Sequence, residues 1–150
     1  MRLRMVEAAL RNERRLRASD YEFRLPKPSY TWNTLRHLRT DYPGHTFVLI
    51  IGGDNWEHFH RWANYADILR EYEIAVYPRR GDKSAATEKV PAEQEINAGN
   101  ISVKGVTLVS VPLLDVSSTM VRQRIRRGED VSSLIPEAVA EEVEKYSLYR

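Results

Sequence analysis

The chain has no cysteine. That excludes a disulfide framework and a thiolate-bound metal, and it suits a reducing cytoplasm. It also lacks the apolar run of about 18 residues that a membrane-spanning helix requires. The opening Met1-Arg2-Leu3-Arg4-Met5-Val6-Glu7 has no apolar signal core and already reads as a helix. An excess of one charge is missing too: 23 lysines and arginines face 21 acids, and a net charge of +2 is too small for wrapping nucleic acid or lying on a membrane. Nothing repeats, nothing is of low complexity, and no Gly-rich phosphate loop is present. Of the four histidines, His58 and His60 lie two apart, off any common helical face, with no acid at a useful spacing, so no metal site is expected. What remains is 150 residues of ordinary globular composition, enough for a single domain over 1–150 with a core of its own.

The most informative stretch is Val116 to Gly128. It follows an apolar run, Val106 to Leu114, that reads as a strand, so it forms a strand-to-helix junction. Ser117, Ser118 and Thr119 are residue types that accept the orphan N–H groups of a helix start. Val121 and Ile125 share an apolar face, and Gly128 stands where a left-handed stop belongs. Arg122 lies about one turn in, near the positive end of the macrodipole, where a cation is unfavourable by roughly 0.3–1 kcal/mol. An anion held by hydroxyls, free N–H groups and Arg122 would reverse that sign, as phosphate does at helix starts. An ordinary capped helix with a solvated basic face fits the same residues.

Arg2 to about Glu13 reads as a helix burying Leu3, Val6 and Leu10 with its arginines turned away. Leu16 to Arg24 alternates loosely, as an edge strand would. Beyond Pro26 and Pro28, Ser29 or Thr31 can cap a helix burying Thr31, Leu35 and Leu38. Phe47 to Ile51 has no polar alternation and reads as a strand buried on both faces, the mark of a parallel sheet. It ends at Gly52-Gly53-Asp54, where open parallel sheets bind ligands: glycines admit a ligand to the backbone and a carboxylate suits ribose hydroxyls. Trp56, Phe59, Trp62 and Tyr65 follow, most of them core, although one exposed Trp there would make a stacking platform. Glu73 to Tyr77 is a short strand ending at the basic Pro78-Arg79-Arg80-Gly81. Gly81 to Asn100 is polar and reads as a surface excursion, with Glu88 to Ile96 open to a short helix. Thr107 to Val111 is the last strand, and Pro136 opens a closing amphipathic helix with Ala138, Val139, Val143 and Tyr146. Helices alternating with apolar strands predict an α/β fold with a mainly parallel sheet.

Together these pieces resemble bacterial nicotinate-nucleotide adenylyltransferases, of the nucleotidyltransferase superfamily with a Rossmann-like fold. The matching residues are Arg4-Met5, Ser29-Tyr30-Thr31 with Thr34-Leu35, Ile50-Ile51-Gly52-Gly53-Asp54, Trp62 and Arg79. Val116-Ser117-Ser118-Thr119 with Arg122 and Gly128, Leu134 with Pro136, and Leu148-Tyr149-Arg150 continue the match in order. The resemblance implies transfer of AMP from ATP to nicotinate mononucleotide, with magnesium carried on ATP. Position by position it implies that Gly52 and Asp54 meet nucleotide backbone and ribose, and that Ser117, Ser118, Thr119 and Arg122 hold ATP phosphates with help from Arg79. Arg122 would be the phosphate stabiliser. Trp62 would stack on the pyridine, backbone N–H groups near Thr31 would bind the nicotinate carboxylate, and Tyr30 would belong to the same nicotinate site. The residue after Trp62 is Ala63, where relatives often carry an aromatic.

The resemblance also marks a departure. The family opens with a strand and a loop of pattern Gly-x-Phe-x-Pro-x-His-x-Gly-His, whose histidines line the α-phosphate. None of His37, His45, His58 and His60 stands in that pattern, so the chain resembles the family with its first part removed. Little or no transferase activity is expected of these residues alone, and losing a central strand would expose sheet edges. Two other readings fit the Ser-Ser-Thr-x-x-Arg region: a phosphopantetheine-type adenylyltransferase, and a non-catalytic nucleotide-binding module. Oligomeric state is not set by the sequence, and a homodimer is open.

Overall fold

The structure is a computed structural model and describes residues 1–78, 104–112 and 115–149. The Arg79-Arg80-Gly81 cluster, the polar excursion with its helix at Glu88 to Ile96, and Arg150 lie outside the described residues. The chain divides into two compact units, Leu25–Leu114 and a second made of Met1–Arg24 with Asp115–Arg150.

In the first unit the apolar runs form β1 (Val48–Gly52), β2 (Glu73–Tyr77) and β3 (Gly105–Leu108), all parallel in the order β1-β2-β3. Ile50 stands opposite Ala75, and Ala75 opposite Thr107. Parallel neighbours need a crossover. Here α3 (Gly53–Glu57), a 3-10 turn (Phe59–Arg61) and α4 (Tyr65–Glu71) carry the chain from β1 to β2. Asn64, in the left-handed region at φ 56°, separates the turn from α4. Helix α2 (Thr31–Asp41) packs on the same side through Leu35. Ile51, Ile74 and Val76 face Trp56, Phe59, Ile68, Leu69 and Tyr72 in one core.

Strand Phe47 to Ile51 is not buried on both faces as its composition predicts: β1 starts at Val48, and Val48 and Ile50 are exposed, Ile50 by 68%. The pleat sends alternate side chains to opposite faces, and among the described residues the helices of this unit pack on the face of Ile51. The capping prediction for α2 also fails. Its N-cap is Tyr30, with no side-chain cap hydrogen bond from Ser29 or Thr31.

In the other unit α1 (Arg2–Ala9) packs on α6 (Glu137–Lys145), and α5 (Ser118–Arg126) contributes Val121 and Ile125 to a core with Val131 and Val143. Helix α1 ends at Ala9 and buries Ala8, leaving Val6 exposed. Arg4 does not turn away: its Nε lies 3.0 Å from Glu142 Oε2 in an ion pair, and its guanidinium lies 4.7 Å from the Tyr146 ring centre. The predicted edge strand at Leu16 to Arg24 is absent, replaced by a 3-10 turn at Tyr21–Arg24. Local polar bonds decide it: Ser19 Oγ accepts the Tyr21 N–H at 3.2 Å and Arg24 pairs with Asp20 at 3.0 Å. Pro136 caps α6 from just outside it. Among the described residues no helix is long and apolar enough to cross a membrane.

Candidate functional site

The start of α5 is built as its sequence predicts. Ser117 is the N-cap, in extended conformation at φ −127° and ψ 148°, and its Oγ accepts the Met120 N–H at 3.2 Å. Ser118 and Thr119 occupy the first turn with exposed side chains, beside the orphan N–H groups any helix start carries. Arg122, one turn on, bends back: its Nη2 donates to Thr119 Oγ1 at 3.4 Å. Among the described residues no carboxylate pairs with Arg122. Arg124 and Arg127 instead lean towards Glu129, at 3.8 and 3.7 Å.

The helix stops where Gly128 takes φ +70°, with its N–H bonded to Ile125 O and the Glu129 N–H bonded to Arg124 O, each at 3.0 Å. That 5→2 and 6→1 pair is a Schellman stop. Val121 and Ile125 seat the helix in its core, so the hydroxyl edge faces solvent. Two hydroxyls, free N–H groups and a cation within one turn suit an anion.

The remaining candidates belong to the unit Leu25–Leu114. Gly52 closes β1 and is the N-cap of α3, at φ −77° and ψ 155°. Gly52 and Gly53 are buried, while Asp54 is exposed just beyond the carboxyl end of the strand, its Oδ1 accepting the Asn55 N–H at 3.0 Å. Tyr30 is exposed at the uncapped start of α2, and Thr31 is its first residue. Trp62 is half-buried; its N–H donates to Phe59 O at 2.9 Å and its indole packs against the Phe59 ring, centres 5.2 Å apart.

Trp56 and Phe59 are core, as expected of most of these aromatics, and Trp62 is the partly exposed tryptophan of the group. The sequence singled out no role for Phe59 beyond core, although its place three residues from both Trp56 and Trp62 was visible. The structure thus groups Gly52, Asp54, Tyr30, Thr31 and Trp62 in one unit and Ser117, Ser118, Thr119 and Arg122 in the other; Arg79 is outside the described residues.

The resolved shifts in acidity lie elsewhere. Burial raises the Tyr72 hydroxyl, and the backbone N–H and hydroxyl of Ser132 lower the Asp130 carboxyl. Among the described residues no group of three or more His, Asp or Glu is placed to hold a metal ion.

The cytidylyltransferase-like family model matches residues 1–124. A protein of Flavobacterium johnsoniae named probable nicotinate-nucleotide adenylyltransferase is 37% identical over 149 residues, covering 99% of this chain and 72% of that one. This chain belongs to the nicotinate-nucleotide adenylyltransferase family. A second member of the family, from Cytophaga hutchinsonii, is 39% identical over 140 residues, 93% of this chain and 66% of its own length. The chain is thus shorter than these members. Among solved structures, nicotinic acid mononucleotide adenylyltransferase of Plasmodium falciparum complexed with APC superposes with a TM-score of 0.72 at 18% identity, covering 97% of this chain and 72% of that one. The likeness extends the family's Rossmann-like nucleotidyltransferase fold to this chain, whose described sheet is wholly parallel, as its alternation of helices and strands predicts.

Proposed function

We propose that this chain serves the transfer of AMP from ATP to nicotinate mononucleotide, giving nicotinate adenine dinucleotide and pyrophosphate. The observation that carries the reading is the start of α5: Ser117 caps it, exposed Ser118 and Thr119 flank its free N–H groups, and Arg122 bends back to Thr119 with no carboxylate partner among the described residues. A triphosphate supplies the negative charge that this arrangement has in no other described group. ATP would enter as its magnesium complex.

In this reading the 5′-phosphate oxygen of the mononucleotide attacks the α-phosphorus of ATP. A new P–O bond forms, the bond from the α-phosphorus to the bridging oxygen breaks, and pyrophosphate leaves with the electron pair. No covalent enzyme intermediate is required. Arg122 and the helix N–H groups meet charge on the phosphoryl oxygens, and the rest is alignment. Gly52 gives a nucleotide close access to backbone, and Asp54 accepts from ribose hydroxyls. Trp62 stacks on the pyridine. The start of α2 has no side-chain cap, so its first N–H groups remain available to a carboxylate, with Tyr30 beside them. Arg79 assists at the phosphates.

These 150 residues contain no Gly-x-Phe-x-Pro-x-His-x-Gly-His loop, so by themselves they bind the substrates with little or no turnover. Titration calorimetry with magnesium-ATP and with nicotinate mononucleotide tests the binding, and pantetheine phosphate serves as the competitor. Binding of the two nucleotides, without displacement by pantetheine phosphate, supports the reading; binding of neither overturns it. A normal rate of dinucleotide formation by this chain would refute the dependence on the histidine loop.

A further inference from the structure

The indole assigned to the pyridine rests on a column of rings. Trp56 and Phe59 are stacked with centres 5.2 Å apart and planes at 28°, and Phe59 meets Trp62 at 5.2 Å and 47°. Tyr65 closes on the Phe59 ring edgewise, centres 6.4 Å apart at 87°. Phe59 is 3% exposed and Trp56 5%, whereas Trp62 is only half-buried. Phe59 therefore has its ring fixed by Trp56 and Tyr65, while the Trp62 ring keeps part of its surface exposed among the described residues. The indole N–H of Trp56 is buried without an acceptor among the described residues, where ring packing holds that side chain in place.

Backbone bonds reinforce the column: the Trp62 N–H donates to Phe59 O and the Tyr65 N–H donates to Trp62 O at 3.2 Å. At its foot, Trp56 shares α3 with Asp54, just beyond the end of β1.

We propose that Phe59 is a positioning residue that sets the height and tilt of the Trp62 indole relative to the strand end carrying Asp54. The proposal rests on the reading of Trp62 as the pyridine-stacking residue. Filling core volume needs only an apolar side chain of the right size at position 59. Holding a half-exposed indole at a fixed plane needs a flat ring there, because an aromatic face restricts its partner's tilt and an aliphatic chain does not.

Phe59→Met keeps the volume and removes the plane. In the 150-residue chain labelled with 5-fluorotryptophan, the Trp62 fluorine resonance, assigned with Trp62→Phe, is expected to move and broaden in Phe59→Met while that of Trp32 stays. Affinity for nicotinate mononucleotide is expected to fall about three- to tenfold, the loss of one aromatic contact, with affinity for magnesium-ATP unchanged. Phe59→Tyr should restore both. If Trp62→Ala leaves mononucleotide affinity untouched, the stacking reading fails and the positioning role falls with it. If Trp62→Ala weakens binding but Phe59→Met keeps wild-type affinity and resonance, stacking stands and the positioning role is overturned. Should Phe59→Met unfold, the unsubstituted chain decides: an Overhauser contact from the Trp62 fluorine to the Phe59 ring, kept when the mononucleotide binds, supports the proposal, and a motionally averaged Trp62 without that contact overturns it.

Discussion

The two units bury their side chains to different depths. In Leu25–Leu114 the core is large and rich in rings, with Ile68, Leu69 and Ile74 all but inaccessible at 0–1% exposure. In the unit that holds α5, the buried cluster is Val121, Ile125, Val131 and Val143, with Ala8 buried on α1, each still 7–9% exposed. The contrast suits what the proposed function would ask of each unit. A flat aromatic ligand is gripped by a flat side chain, which must be braced from below. A phosphate is gripped by N–H groups, hydroxyls and a guanidinium at a helix end, and four aliphatic residues suffice to seat that helix.

The widest gap should appear on truncating the cores. Ile68→Ala is expected to destabilise by about 3–4 kcal/mol, through lost burial and a cavity that cannot collapse, and Val143→Ala by about 1–2 kcal/mol. Urea unfolding measures both, and equal losses would erase the distinction between the cores. Next comes a change meant to alter binding without touching the fold. Arg122→Ala should weaken magnesium-ATP by about ten- to a hundredfold, the value of a charged hydrogen-bond donor, and leave the melting temperature and mononucleotide affinity in place. Calorimetric titration with the two nucleotides reads that difference, and a parallel loss for both ligands would contradict the division of labour. Gly128→Ala should cost about 1 kcal/mol: a Cβ there meets open space, so the penalty is the positive φ alone. Helix content and urea midpoint report it.

The smallest effect is on pH dependence. Asp130 is held below the ordinary carboxylate range by the Ser132 N–H and hydroxyl, each 2.9 Å away. A carboxyl depressed in the folded state contributes stability above its unfolded pKa, and that contribution is lost as pH falls through the folded value. Asp130→Asn should therefore flatten the acid end of the stability curve slightly, as urea midpoints between neutral and acidic pH would show. A steeper acid limb would reverse the sign.

Much of this was legible in the residues. The unbroken apolar run before Gly52 announces a strand of a parallel sheet, and Ser117 with Gly128 brackets a helix at both ends. What sequence alone misjudged turned on neighbours that a local pattern does not name. Ile50 looks buried because it is apolar, yet the described helices of its unit lie on the other face. Tyr21–Arg24 looks alternating, yet an ion pair to Asp20 and the Ser19 hydroxyl wind it into a turn. Thr31 looks like a cap, but the chain enters α2 one residue too early for its hydroxyl to reach back. At the site, the α5 start could be read because its chemistry is contiguous. The brace under Trp62 could not, since spacing shows that Phe59 is near and not which way its ring faces.

The Schellman stop at Gly128 matters beyond ending a helix. By turning the chain back it delivers Glu129 to Arg124 and Arg127, so two of the cations downstream of Arg122 are already engaged at the far end, where the macrodipole also favours them. A polyanion sliding along this basic helix would have to displace a carboxylate to go further. If the helix start holds a triphosphate as proposed, this glycine helps choose the register in which it settles, although it lies more than two turns from Thr119.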